Sequence, residues 1–481
     1  MQQFERVADA RLYLSIIAAG ILSFTGVVIE TSMNVIFPTL MEEFHISTSL
    51  VQWVTTGYLL ILSVVIPTSS YLKQRFPLKH LFLCANLIFL AGTLCGAFAP
   101  NFAVLLLGRL LQGTGTGIAL PLMFNIVMEQ APLNRIGFMM GAAMLVTALA
   151  PAVGPSFGGY IVTLWGWHMI FLSLVPVVLF SLITGLYAIR QSCSCGPRAF
   201  DFTGMFQIAV AFTTFLLACT EASSLAERPL PFIILTVLAV LFLGLFRRHE
   251  KRYTATGRTP LLRLLPLGSR AFAMSLVCLS IVMFLCLGTG FLLPNFAQIC
   301  LHESPFTAGC ILLPGCLVGA LITPLCGRLY DQYGPRRPLL LGSFFLFLCM
   351  AVYQFIMRSP TVLLMTGAYV LFTIGQSLSM GNTMTYAISS LEERLRGDGN
   401  AIVTTVQQLS GAVGTAISAA LVATFQLGLD HGSAAFAAAT AAGTRTAFLV
   451  LLSLAVLHNL CIRRALQTPQ AARKKEPACE N

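Results

Sequence analysis

Gly327-Arg328-Leu329-Tyr330-Asp331-Gln332-Tyr333-Gly334-Pro335-Arg336-Arg337 is a short basic segment between two apolar runs, near 306–327 and 337–357. Each run has the roughly 20 residues that a helix needs to cross about 30 Å of hydrocarbon at 1.5 Å per residue. The segment between them therefore reads as a turn at a membrane surface. A second basic turn, Ser70-Tyr71-Leu72-Lys73-Gln74-Arg75-Phe76-Pro77-Leu78-Lys79, separates runs near 50–71 and 80–99. The two turns hold corresponding places in two units of six apolar runs, so a single internal repeat organises the chain.

Outward from these turns, 14 candidate spans lie near 12–37, 50–71, 80–99, 103–128, 136–163, 168–189, 201–221, 229–246, 270–293, 306–327, 337–357, 361–387, 400–426 and 441–460. The expected fold is an all-α membrane protein. Residues 1–192 form an N-terminal six-helix bundle, 193–266 an inserted helix pair with a basic linker, 267–464 a C-terminal six-helix bundle and 465–481 a tail. An inserted pair leaves both units in the same orientation. Parallel six-span halves with a binding site between them near the midplane are a known transporter plan.

Composition excludes the other classes. Of 481 residues 57% are hydrophobic and 10% charged, against about 25% charged in soluble domains, too little to keep such a chain solvated. Barrel strands would be about 10 residues long and alternate polar with apolar, unlike these blocks. The net charge of +11 does not signal a nucleic-acid partner, because the positive residues sit in short loops. On an even span count, one set of loops and tails carries 25 of the 29 lysines and arginines, and the other only Arg228, Arg358 and Arg445. That asymmetry predicts both termini on the cytoplasmic side of a cytoplasmic (inner) membrane. Arg6 and Arg11 precede a long span without a small-residue cleavage site, which reads as an uncleaved first helix. Most of the 14 cysteines lie in apolar stretches as small apolar residues; Cys193 and Cys195 share a polar loop and read as incidental. No phosphate-binding loop or His-rich cluster is present, and the seven histidines are scattered without ligand spacing. No metal site, cofactor or enzymatic activity is expected.

The ordered motifs resemble the major facilitator superfamily, and within it the 14-span drug:proton antiporters, over nearly the whole chain up to Arg464. Gly327–Arg337 is similar to the superfamily's loop signature, Gly-x-Leu-x-Asp-x-x-Gly-x-Arg-Arg. The first loop departs from it, with Ser70, Gln74 and Pro77 at the positions of its first glycine, aspartate and later glycine. Gly108-Arg109-Leu110-Leu111-Gln112-Gly113 resembles the second motif. Gly154-Pro155-Ser156-Phe157-Gly158-Gly159 resembles the antiport motif, with Ala150 in place of its leading glycine. Ile29–Pro38, Leu312–Gly315 and Gln408–Ala416 resemble the lincomycin-efflux-like branch, Glu30 standing one position after the usual acid. The resemblance implies a proton-driven transporter that acts as a monomer on small molecules. It names no substrate.

Ionisable residues at membrane depth are functional candidates by default, and Glu30 and Arg109 are the two here. Both lie roughly 9–10 Å below the same face by helical rise, so they can meet if their spans are neighbours. A proton, Arg109 or a cationic substrate can each balance the Glu30 carboxyl, and exclusion among them would couple export to proton entry. A fixed ion pair that only ties helices together is the alternative. Asn34 and Gln112 lie one turn away from Glu30 and Arg109. Asn295, Gln298, Gln376, Asn382, Gln407 and Gln408 are the polar candidates for the cavity wall in the second unit. Glu129 and Glu221, at span ends, read as hydrated carboxylates. Gly154, Pro155, Gly158 and Gly159 predict a tight, bent seam between the halves. Gly327, Asp331, Gly334, Arg336 and Arg337 form a candidate gating loop, with Asp331 as latch. The leading functional expectation is proton-coupled export of small amphipathic molecules or drugs. A narrow exporter of one metabolite, peptide or siderophore, and a transport-dead sensor or scaffold, are the competing ones.

Overall fold

In hydrocarbon every backbone N–H and C=O must find its partner inside the chain, and a helix achieves this within one segment. The computed structural model describes residues 9–132, 136–190, 200–222, 228–256, 260–392, 395–430 and 433–467. Its long helices are α1 (Ala10–Met33), α2 (Thr48–Thr68, interrupted at Gln52), α3 (Leu78–Ala97), α4 (Phe102–Gln130), α5 (Ile136–Trp165), α6 (His168–Ala188), α7 (Phe202–Glu221), α8 (Pro229–Ala255), α9 (Arg270–Leu301), α10 (Pro305–Tyr333), α11 (Arg336–Ile356), α12 (Val362–Ser389), α13 (Arg396–Gln426) and α14 (Ala434–Gln467). Among the described residues 13 of these are long and apolar enough to cross a membrane; the other, α5, is a 30-residue helix at the place of the fifth expected span. The fold is all-helical, as expected. Cys193, Cys195 and the tail from 468 lie outside the described residues, as does the Glu129 side chain.

Polar side chains start many of these helices. Asn101 accepts the amide of Val104 (3.0 Å), Ser304 that of Thr307 (3.1 Å) and Asp201 that of Gly204 (2.8 Å), each satisfying one of the free N–H groups at a helix start. Asp9 caps α1 through Leu12 and pairs with Arg190 at the end of α6 (2.7 Å). The Leu12 N–H, and then the Arg190 charge, hold the Asp9 carboxyl below its ordinary pKa.

The repeat is visible in the packing. In the first unit α1 packs on α4, α5 and α6, α4 on α2 and α3, and α3 on α6. In the second unit α9 packs on α12, α13 and α14, α12 on α10 and α11, and α11 on α14. These are the same six pairings, with each helix replaced by the one eight places later. The units meet along two matching seams, α2 with α13 and α5 with α10. The inserted helices pack on each other, and α7 also touches α13 and α2. Along α8, Leu230, Ile233, Ile234, Val237 and Val240 are all more than half exposed, a surface suited to lipid.

Several boundaries differ from expectation for local reasons. The first span ends at Met33, not near 37: Asn34–Ile36 form a turn, and Pro38 opens a short separate helix, Phe37–Phe44. Proline cannot donate an amide and suits a helix start. The ninth span reaches Leu301 rather than 293, because Asn295 and Gln298 continue the helix, their amides donating back one turn to the carbonyls of Phe291 and Pro294. The eighth continues through Arg247–Arg252, whose charges end the apolar count but not the helix.

Candidate functional site

Arg109 is fully buried, two turns into α4. A buried guanidinium must use its donors, and this one meets three groups, two on α2 and one on its own helix. Its Nε donates to the Val54 carbonyl of α2 (3.0 Å) and its Nη1 to Gln112 Oε1 one turn on (2.6 Å). Its central carbon stands 4.4 Å from the centroid of the Tyr58 ring on α2, a cation–π distance. Gln112 in turn donates to Thr93 Oγ1 on α3 (3.0 Å). The second terminal nitrogen, Nη2, is buried with no hydrogen-bond partner among the described residues.

Glu30 lies on the adjacent α1, 7% exposed. Its carboxyl makes no hydrogen bond and no ion pair within 4.0 Å among the described residues. Arg109 and Glu30 lie on helices that pack against each other, α4 and α1. The expected neighbourhood is present, but the guanidinium is committed to Val54, Gln112 and Tyr58 rather than locked onto the carboxylate. In the second unit α9 carries the Cys286 thiol. Gln376 of α12 donates to that thiol (3.2 Å). Glu30 lies one turn before Asn34, whose backbone carbonyl accepts from Asn295 of the second unit, and so stands near the seam of the units.

The other polar residues divide by role. Asn34 Oδ1 accepts from Thr55 Oγ1 (2.9 Å), binding α2 rather than Glu30. Asn295 and Gln298 reach across the halves into the bare turn after α1: Asn295 Nδ2 donates to the Asn34 carbonyl (3.3 Å) and Gln298 Nε2 to that of Val35 (2.6 Å). Thr48 Oγ1 likewise donates to Gln426 Oε1 (2.6 Å). These three bonds join the units at the face opposite the termini. Asn382 spends its donors on the carbonyls of Cys326 and Leu378 and ties α12 to α10. Gln407 approaches Met380 Sδ (3.9 Å), and Gln408 is half-buried.

The glycines of α5 pack in two directions. A Cβ on Gly154 would strike Thr31, and one on Gly158 would come within 2.7 Å of Ser32 Cβ, both on α1 of the same unit. Gly159 instead meets the backbone at Pro305 and Phe306 of α10, and Gly309 of α10 meets the Pro155 carbonyl. This second contact closes the seam between units, again at the face opposite the termini. At the other face Asp331 is exposed, with no ion pair within 4.0 Å among the described residues. Gly334 turns the chain with φ +71°, and Arg337 lies 5.0 Å from the Tyr333 ring. Arg336 is exposed and nothing approaches Gly327.

Sequence reasoning missed Tyr58 and the Val54 carbonyl as partners of Arg109, and Thr93 as the partner of Gln112. An aromatic in an apolar run carries no distinguishing signal, and a carbonyl carries none at all. His458, one of the scattered histidines, has a fully buried side chain, with Nδ1 3.1 Å from Ser343 Oγ of α11.

The sequence profile described as Major Facilitator Superfamily matches residues 16–198 and 202–415. A lincomycin resistance protein, LmrB, of Listeria monocytogenes is 32% identical over 469 residues, covering 96% of this chain and 98% of that protein. A multidrug resistance protein B homolog of Mycobacterium tuberculosis is 28% identical over 412 residues, covering 84% and 75%. In structure the chain is similar to a bacterial homolog of the human lysosomal transporter Spinster in an inward-facing, unoccupied conformation. The TM-score is 0.69 at 15% identity, covering 96% of this chain and 98% of that one.

Proposed function

The chain belongs to the Major Facilitator Superfamily, and from that premise we propose that it is a proton-coupled exporter of small amphipathic molecules, drugs among them. As a member it is a multi-pass membrane transporter for small molecules and not an enzyme. Its relatives include proteins named for lincomycin and multidrug resistance, which favours antimicrobial substrates.

The observation that carries the coupling is the Glu30 carboxyl, buried on α1 near the seam of the units, with no hydrogen bond and no ion pair within 4.0 Å among the described residues. A charge at this depth must be balanced. With Arg109 bound elsewhere, the balancing partner is exchangeable: a proton in one half-cycle, a substrate in the other. Arg109 stays charged throughout and sets the field in which the exchange occurs. Each ligand shifts the population toward the state it binds better. The proton gradient supplies the drive, and no cofactor takes part.

The excess of Lys and Arg on the terminal side orients that side to the cytoplasm of the cell membrane. The three bonds joining the units then lie outside, and the conformation described is closed to the exterior. A single exchanging carboxyl sets one proton per cycle. Exchange against a monovalent cation is then electroneutral, whereas exchange against a neutral molecule moves one charge, worth about 2.3 kcal/mol per 100 mV. The protein acts as a monomer, since one chain supplies both units. A susceptibility panel on a strain with and without the gene, including lincomycin and cationic dyes, tests the export reading. Broad loss of resistance supports it; sensitivity to no compound contradicts it.

A further inference from the structure

The face opposite the termini holds a cleft of about 280 Å³, distinct from the Glu30 region, with walls from both units. The short helix Phe37–Phe44 supplies Met41 and Glu42. The end of α9 supplies Gln298 and Glu303, and the start of α14 supplies Phe436 and Ala437. Its base is the Gln298–Val35 bridge, one of the bonds that join the units here. Met41 and Phe436 are almost wholly buried and provide an apolar floor (2% and 4% exposed).

The rim is anionic. Glu42 and Glu303 come from opposite units and neither makes an ion pair within 4.0 Å among the described residues. The neighbouring Glu43 is engaged, accepting from Trp167 Nε1 (2.6 Å). The arginines at this end of the second unit are also committed: Arg445 donates to the Met357 carbonyl (2.9 Å) and Arg358 lies on the Phe355 ring. Two like charges facing one cleft repel each other, and a positive charge between them turns that repulsion into attraction.

We propose that this cleft is a second binding site, for a small organic cation with an apolar group, and that its occupant holds the two units together on this face. The volume lies at the lower edge of the roughly 300–1,000 Å³ of small-molecule sites, which selects a compact ligand. The two walls belong to units that must part when the protein opens on this face. An occupant touching both therefore favours the closed state and, by linkage, slows transport. The slowing, unlike the binding, rests on the transport reading above.

The test uses benzyltrimethylammonium, permanently charged and slow to cross membranes. Calorimetric titration of the purified full-length protein should show saturable binding, weakened at least tenfold in Glu42→Gln/Glu303→Gln and in Ala437→Phe, which fills the cleft. Glu30→Gln should retain the binding that Glu42→Gln/Glu303→Gln loses. Added outside proteoliposomes at the face opposite the termini, the cation should slow wild-type transport and leave the double variant unaffected. Absence of wild-type binding, or equal binding in both cleft variants, would overturn the site. Loss of binding in Glu30→Gln alone would place the cation at the central carboxyl instead. Binding without slowing would overturn the coupling to closure. Because the titration needs no transport, the cleft can fail or stand whether or not the protein proves to be an exporter.

Discussion

The guanidinium carbon of Arg109 lies 4.4 Å from the centre of the Tyr58 ring, so the charge most deeply buried in the first unit rests on an aromatic face of the neighbouring helix. Together with the bonds to Val54 and Gln112 this fixes the plane of the guanidinium. Lysine carries the charge but not the plane. Arg109→Lys should lose at least one charge-assisted bond, about 1.5–3 kcal/mol, or roughly ten- to a hundredfold in transport if that geometry is needed in the rate-limiting state. Tyr58→Phe keeps the ring and should retain most activity. Transport in vesicles checks both, and an active Arg109→Lys would make the geometry incidental.

Gly159 and Gly309 let α5 and α10 touch backbone to backbone between the units. A methyl group at either position strikes Pro305 or Pro155, and a backbone cannot yield as a side chain does. Gly159→Ala should therefore push the units apart on this face and favour opening there. Single cysteines near the seam should label faster with impermeant reagent from that side; unchanged labelling would show that the contact does not hold the state.

Asp331 has no ion pair within 4.0 Å among the described residues, although Arg336 and Arg337 follow within one turn and a loop. As a latch it must act in another state. Asp331→Asn should slow transport several-fold while leaving substrate binding nearly unchanged, read as a fall in maximal rate against a constant dissociation constant. Equal rates would reduce it to a solvated charge.

The orientation drawn from the charge asymmetry is checked by thiol labelling in a background without other reactive cysteines. Ser390→Cys, after α12, should react with impermeant reagent only from the cytoplasm, and Ser304→Cys, before α10, only from outside. Labelling of both from one side would overturn the span order.

Much of this was legible in the sequence because the membrane restricts the choices. Apolar runs of helical span length left no alternative to helices, and the matched basic turns at 70–79 and 327–337 marked the repeat. Glu30 and Arg109 stood out because charge at depth is rare. What stayed hidden depends on backbone. The turn Asn34–Ile36 bares two carbonyls, and these make Asn295 and Gln298 ties between the units rather than parts of an open cavity wall. The seam glycines looked alike in sequence; only the rotation of α5 sends Gly154 and Gly158 to α1 and Gly159 to α10.

The central claim is that Glu30 is the carboxyl that exchanges the proton. Glu30→Gln keeps the shape and hydrogen-bonding capacity of the side chain but cannot release a proton. Glu30→Asp keeps the acid, withdrawn by one methylene from the interface, and should retain part of the activity with a displaced pH optimum. The direct measurement is substrate-driven proton flux in proteoliposomes at several pH values for the wild type and Glu30→Gln. The expected result is coupled flux in the wild type and none in Glu30→Gln, with binding of neutral substrates preserved. Undiminished coupled flux in Glu30→Gln would contradict the account, move the proton to another carboxyl such as Glu129 or Glu221, and leave Glu30 a passive resident of the interface.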